Sequence, residues 1–467
     1  MTRLFWLLVG LTTVARLLVI GRVGLAHEEA YHWNYAQHPD LSYFDHPPMV
    51  GWLIGLTGGD TEFWVRLPAV LLFIGSSWFV FDLGRRMFSP LVGLVAATML
   101  GFLPSFAIFS VAMMPDSPHL FCWCAGLWAG WRLVESEDPR WWWLLGLITG
   151  LGMLSKYPAA LIPLPALVLG RRSWQTAGAA LLAMALFSPV LWWNATHDWA
   201  SFLFQGSERI QAPATLMARV RSYLFQLLMM TPAGLALVVW AQSRALKQMQ
   251  DQRIAYLVWS SLPFLALMVL VSLKRFVNIN WPMPGYLGSI LLMAYFLVQS
   301  WPASRLAATT LALFGVTLSY LPWVVALIPL GAFNPLDTFS GWRPVGEQIE
   351  AERTRMPEPE RTFYLGTGYE AASQLAFTTR RPHHTLAQNA LGLPNSVSYR
   401  YWEDPREFAG WDALIVADAR HPVSNEVLSQ HFARFEEASP VEIDRDGKPL
   451  RHLRLYRGYG FIPGPPP

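Results

Sequence analysis

Between His27 and Leu56 the chain reads HEEAYHWNYAQHPDLSYFDHPPMVGWLIGL. Glu28 and Glu29 open this stretch as adjacent carboxylates. A carboxylate just past a helix end can take the proton of a hydroxyl nucleophile, provided burial or neighbouring charge tunes its pKa; otherwise the pair is a solvated turn. Further on stands Asp45-His46-Pro47-Pro48, where two prolines restrict the backbone and hold the acid and the imidazole in place. Aspartate and histidine together are ligand types for zinc or manganese, and aspartate alone suits magnesium. His27, His32 and His38 lie nearby, but the spacing matches no tight metal motif, and a surface turn is the alternative.

Three later places add charge. Asp116 sits in Met-Met-Pro-Asp-Ser-Pro-His, which suits either a helix cap or a site acid. Lys156, in Ser-Lys-Tyr-Pro, either snorkels to the membrane surface or holds a phosphate. Lys274-Arg275, followed by Asn278-Ile279-Asn280-Trp281-Pro282, either anchors a helix at the interface or neutralises a phosphate leaving group through charge-assisted bonds.

The elements that must position these groups are long and apolar. Of 467 residues, 53% are hydrophobic and 14% charged, well below the quarter expected of a soluble domain. Apolar runs are expected to form helices at about 4–23, 66–83, 90–111, 118–133, 141–154, 159–169, 175–193, 223–241, 254–273, 281–299 and 306–330, about eleven spans in all. The first is read as an uncleaved helix, because Arg16 interrupts the apolar stretch expected of a signal peptide. WNYAQHP and MVGWLIGL, in the loop 24–64, suit short helices on a membrane surface.

Arginines at the inner turns, such as Arg85-Arg86 and Arg171-Arg172, place the N-terminus in the cytoplasm and the C-terminus outside. Arg66, Lys156, Arg209, Arg219, Arg221, Lys274 and Arg275 then fall on the outer side, either through a misplaced span or because they meet an anionic substrate. The net charge of +3 is too small to imply nucleic acid. Cys122 and Cys124, two apart within an apolar run, are unsuited to a disulfide or a metal pair.

From about 331 the apolar runs stop, and RTFYLGTGYEAASQLAFTT and WDALIVADAR suggest a small α/β domain over 331–467, after a membrane domain over 1–330. Under this topology Glu28, Glu29, Asp45, Asp116, Lys156 and Lys274-Arg275 all land at one membrane face, an arrangement suited to transfer from a phosphate-linked lipid.

The run EEAYHWNYAQHPDLSYFDHPPMVGWLI resembles the first external loop of bacterial glycosyltransferase family 39 proteins, relatives of the protein O-mannosyltransferases and of the lipid A aminoarabinose transferase. MPDSP, LGMLSKYPA and NWPMPGY resemble further landmarks of that group. The resemblance implies a GT-C fold: a polytopic helical membrane protein of the bacterial inner membrane with a small periplasmic domain. It implies an inverting transfer from an undecaprenyl- or other polyprenyl-phosphate-linked sugar to a hydroxyl of lipid A, a glycan, a lipid or a protein. The family's catalytic aspartate falls on Glu28, one methylene longer, with Glu29 in support. A metal-binding carboxylate falls on Asp45, with His46 beside it. Lys156, Lys274 and Arg275 would contact the lipid phosphate, while Asp116 and Tyr43 would order the site or bind acceptor. Two other classes compete: a transporter or flippase of lipid-linked sugars, which would place ionisable groups near the midplane of its helices, and a receptor-like glycan-binding protein.

Overall fold

The computed structural model describes residues 1–208, 215–300, 339–394, 396–445 and 448–464. The expected eleventh helix at 306–330, the domain start at 331 and Arg209 lie outside them. Contacts divide the chain into two compact units. The first holds Met1–Leu18, Leu41–Val50 and the described residues of 66–300; the second holds Val19–Asp40, Gly51–Val65 and the described residues of 339–464.

Unit 1 is helical. Counting helices of eight residues or more along the whole chain, α1 is Thr2–Val19, α2 His27–Gln37, α3 Met49–Leu56 and α4 Glu62–Met87. Then come α5 Pro90–Phe102, α6 Asp116–Ser136, α7 Trp141–Met153 and α8 Trp174–Thr196. They are followed by α9 Leu216–Met230, α10 Pro232–Ala245, α11 Gln252–Ser272 and α12 Met283–Gln299. Four of these, α1, α4, α8 and α11, are long and apolar enough to cross a membrane.

Prolines explain where expected helices divide. The run 90–111 breaks at Leu103, which is pushed to ψ 127° by Pro104, and resumes as Pro104–Phe109. The stretch 194–222, expected as a loop, contains the first turns of α9. That helix meets α10 at an 83° bend, where Thr231 adopts φ 62° before Pro232.

Helices α7 and α8 owe their contact to missing side chains. A Cβ on Gly146 would lie 2.5 Å from the carbonyl oxygen of Ala179, and one on Gly150 would lie 2.8 Å from Cβ of Leu186. The two glycines, four apart, share one face and let the backbones approach as small-residue pairs do between membrane helices.

Unit 2 is a mixed sheet with helices. Its strands are β1 Thr362–Gly366, β2 Thr385–Ala387, β3 Asp412–Ala417, β4 Phe432–Arg445 and β5 Lys448–Phe461. The order is β2-β1-β3-β5-β4, with the first three parallel and the last two pairings antiparallel. Alternation along β1 and β3 sends Phe363, Leu365, Ala413 and Ile415 into one apolar cluster and Tyr364, Leu414 and Val416 into another. Helices α13, Trp342–Arg353, and α14, Tyr369–Thr379, complete the described long elements. The expected strand–helix pattern over 361–379 and strand over 411–420 are both present as β1–α14 and β3. The β4–β5 hairpin was not expected.

Helix α2 belongs to this unit's packing. Gln374 of α14 donates to the Leu25 carbonyl at 2.8 Å, the Tyr31 hydroxyl accepts from the Ser398 N–H at 3.0 Å, and Trp33 meets Phe377 edge-on at 5.2 Å.

The α7–α8 contact predicts that Gly146→Val lowers the detergent-solubilised melting temperature, the overpacking costing about 1–3 kcal/mol or more. Gly101→Ala, where a Cβ meets nothing within 4 Å, leaves it unchanged. Fluorescence-monitored thermal unfolding distinguishes the two.

Candidate active site

In unit 1 the chain brings distant segments to one cavity of about 510 Å³. Asp45, His46, Asp116, Lys156, Lys274 and Arg275 all line it, together with His119, Tyr157, Gln205 and Asn280. Six charged or ionisable residues chosen from the sequence thus meet in one place. Tyr43 does not line the cavity; it is buried, and its N–H donates to the His46 carbonyl at 3.1 Å, closing the Asp-His turn. That turn is held from two sides. The Met49 N–H donates to the Leu154 carbonyl at 3.0 Å, and the Gln205 side chain donates to the carbonyl of Asp45.

Asp116 stands at the start of α6 but does not cap it. Its carboxylate instead reaches across the bundle: Oδ1 accepts from Lys156 Nζ at 2.7 Å and Oδ2 from Asn280 Nδ2 at 2.9 Å. Both charged side chains are largely buried, at 13% and 4% exposure for Lys156 and Asp116. A buried aspartate satisfied by one cation and one amide donor fixes three segments to one another. Lys156 therefore does not simply snorkel.

Lys274 is exposed and Arg275 half-buried, and neither has a carboxylate within ion-pair reach among the described residues. Their loop is strapped by one face of α9. Arg219 donates to the Leu273 carbonyl at 2.6 Å, Ser222 to the Val277 carbonyl at 2.6 Å, Tyr223 pairs with the Ser272 hydroxyl at 3.0 Å, and Gln226 donates to the Asn278 carbonyl at 3.1 Å. Positions i, i+3, i+4 and i+7 share a helix face. Three of the cations expected on the outer side have protein surroundings of their own. Arg219 holds a backbone carbonyl, and Arg221 lies over the Phe276 ring at 5.4 Å. Arg66, too, is wholly buried.

Sequence reasoning missed His119 and Gln205. His119 follows Asp116 by three residues on the same helix face, a spacing that would have revealed it. Gln205 lies in the π-helical turn Phe204–Glu208, within the stretch expected as a loop, and has no sequence signal of its own.

Unit 2 holds the two glutamates in the first turn of α2. Glu29 is fully buried and accepts from the Ala26 N–H at 3.0 Å, satisfying the open end of the helix. Glu28 is exposed but crowded by protein. Desolvation raises its carboxyl above the usual range, and the charges of Glu370 and Glu29 raise it further, against the opposing pull of Arg420. Arg420 is itself paired with Asp418 at 2.8 Å. His27 is held neutral, its pKa lowered to about 3 by burial and by Arg451 and Arg420.

Among the described residues Asp45 and His46 belong to no group of three converging His, Cys, Asp or Glu side chains. Asp116 is engaged by Lys156 and Asn280, and the single group of three closely converging His, Cys, Asp or Glu side chains among the described residues lies elsewhere.

Residues 45–193 match the family model described as dolichyl-phosphate-mannose-protein mannosyltransferase. The chain is 28% identical over 404 residues to the lipid A galacturonosyltransferase RgtD of Rhizobium johnstonii, covering 82% of this chain and 84% of that protein. It is 26% identical over 386 residues to an undecaprenyl phosphate-alpha-4-amino-4-deoxy-L-arabinose arabinosyl transferase of Pseudomonas fluorescens, covering 78% and 64%. The crystal structure of apo ArnT from Cupriavidus metallidurans superposes with a TM-score of 0.68 at 14% identity, over 97% of this chain and 98% of that one. The fold is therefore the expected GT-C fold, with apolar helices and a small C-terminal sheet.

The Asp116 clamp makes a stability prediction. Lys156→Ala leaves a buried carboxylate without its cation and destabilises by about 3–5 kcal/mol. Lys156→Met combined with Asp116→Asn recovers most of that loss, as measured by detergent thermal unfolding.

Proposed function

We propose that this chain, a relative of lipid A galacturonosyltransferase and of the aminoarabinose transferases, is an inverting membrane glycosyltransferase. It moves a sugar from a polyprenyl-phosphate-sugar donor to a hydroxyl of an envelope acceptor, with lipid A the acceptor that its relatives' names favour. The observation that carries the reading is the cavity that joins Asp116, Lys156, Asn280 and the cations Lys274 and Arg275, which have no ion-paired acid among the described residues.

The acceptor oxygen attacks the anomeric carbon. The bond from that carbon to the phosphate oxygen breaks, and the electron pair leaves on the polyprenyl phosphate. Lys274 and Arg275 neutralise the phosphate charge that develops, and Lys156, oriented by Asp116, adds a third cation. Glu28 takes the acceptor proton. It is the better base of the pair, because Glu29 is committed to the end of α2 and Glu28 is exposed with a raised pKa. Asp45 and His46 would be the residues to hold a zinc, magnesium or manganese ion, which would supply further charge neutralisation at the donor phosphate. A transporter reading is weaker, since the ionisable groups of the cavity sit at helix termini and in loops.

The chemistry is tested with purified protein in detergent, undecaprenyl-phosphate-linked galacturonose and aminoarabinose, and extracted lipid A, with and without chelator. Acceptor-dependent release of undecaprenyl phosphate is expected, and Glu28→Gln should lower it by about 10²–10⁴-fold. Sugar-lipid movement across liposomes without any release would sink the proposal. The pH profile adds a sign. The base works ionised, so activity falls as pH drops through the pKa of Glu28, at a higher pH than an ordinary glutamate would give. Glu370→Gln removes a repelling charge and should move that acid limb to lower pH.

We also place the N-terminus in the cytoplasm and unit 2 in the periplasm, with about eleven spans. Both native cysteines are buried, so engineered ones can be read cleanly. In intact spheroplasts an impermeant maleimide should label Asp404→Cys, and should label Lys247→Cys only after permeabilisation. The reverse pattern would invert the topology.

A further inference from the structure

His38, His383 and Glu403 lie together in unit 2, their donor atoms all within 4.8 Å of one another. His38 follows the last turn of α2. Its Nδ1 lies 2.9 Å from the Asn34 carbonyl and its Nε2 2.9 Å from Glu403 Oε1. His383, in the short helical turn Pro382–His384, brings its Nδ1 to 2.8 Å from the same carboxylate oxygen. Trp402 stacks on the His38 ring at 4.7 Å and 7°, fixing its plane.

A carbonyl oxygen only accepts, so His38 Nδ1 carries the hydrogen. In the neutral ring Nε2 is then a bare lone pair aimed at a carboxylate oxygen, an arrangement that is repulsive unless a cation lies between them. The cation is either a second proton or a metal ion. A hydrogen bond from the far ring nitrogen to a carbonyl is also the device that sets the tautomer and orientation of metal-bound imidazoles.

Two imidazole nitrogens and one carboxylate oxygen suit zinc, whereas magnesium and calcium prefer all-oxygen sets. With Zn–N and Zn–O distances near 2.0–2.1 Å, neighbouring ligands of a tetrahedral ion lie about 3.3 Å apart. The contacts here are about half an ångström shorter, and the side chain able to yield is that of His383, which is 59% exposed. The same exposure opens a path for the ion. His38 and Glu403 are 9% and 16% exposed, so the rest of the site is sheltered.

We propose that His38, His383 and Glu403 form a zinc site with three protein ligands and a fourth position open to water, which clamps the C-terminal end of α2 to two segments that follow it by more than three hundred residues. The same helix carries Glu28 in its first turn, so the ion acts on the placement of that residue without taking part in transfer. The site shares no residue with Asp45 and His46, which belong to unit 1.

The test uses the full-length protein in detergent, stripped with chelator, dialysed against zinc and analysed for bound metal. Wild type should retain one zinc equivalent more than His383→Ala or His38→Gln, whereas Asp45→Asn should retain as much as wild type. Zinc affinity should fall more than about a hundredfold in His383→Ala, since groups that merely hydrogen-bond a metal ligand are worth about 10–100-fold. Zinc should raise the melting temperature of wild type and leave that of His383→Ala unchanged. His383 is exposed, so its truncation tests the site without threatening the fold. Equal zinc content in wild type and both histidine variants would overturn the proposal and leave a proton-held His–Glu–His trio; loss of the equivalent in Asp45→Asn alone would assign the ion to the other unit.

Discussion

The ion pair between Lys156 and Asp116 is the constraint on which the cavity depends. Apolar helices attract one another with little directional preference, so packing alone does not fix the azimuth of any one of them. A buried aspartate does, because an unpaired charge in that setting is expensive. With Oδ1 on Lys156 and Oδ2 on Asn280, Asp116 ties the start of α6, the end of α7 and the loop before α12 to one geometry. The glycine contact between α7 and α8 serves the same end from the apolar side.

Around this clamp the charges divide by role. Lys156 is compensated, and Arg219 and Arg221 are engaged by a carbonyl and a ring. Lys274 and Arg275 carry charge with no acid beside it among the described residues, and the polar stripe of α9 holds their loop so that this charge stays at the cavity. A pair of cations lining a cavity without a paired acid is what an anionic phosphate requires. The glutamates divide in the same way: Glu29 completes a helix end, and Glu28 is left crowded, exposed and reluctant to ionise.

Much of the cavity was legible from the sequence because helix ends follow from the lengths of apolar runs. Once Asp116, Lys156 and Lys274-Arg275 are assigned to ends on one side, their meeting is a consequence of packing. The strap was not legible. Arg219, Ser222, Tyr223 and Gln226 interrupt the apolar pattern of α9, so hydropathy reads its first half as loop, although their spacing marks one helical face. The hairpin β4–β5 escaped for a related reason: its charged residues, such as Glu436, Glu437, Arg454 and Arg457, pair across exposed strands and dilute the apolar alternation. His383 and Glu403 join His38 only through tertiary structure, which no local spacing reports.

The contacts that build α2 into unit 2 also set a timetable. Leu25 meets Gln374 across 349 residues and Tyr31 meets Ser398 across 367. At about 5–20 residues per second, a ribosome needs on the order of tens of seconds between making α2 and making its partners. During that interval a helix bearing Tyr31, Trp33 and Tyr35, all buried in the finished protein, has no mate. A message truncated before the C-terminal strands would leave Tyr31, Trp33 and Tyr35 without the Ser398, Phe377 and Trp402 that they meet in the finished protein.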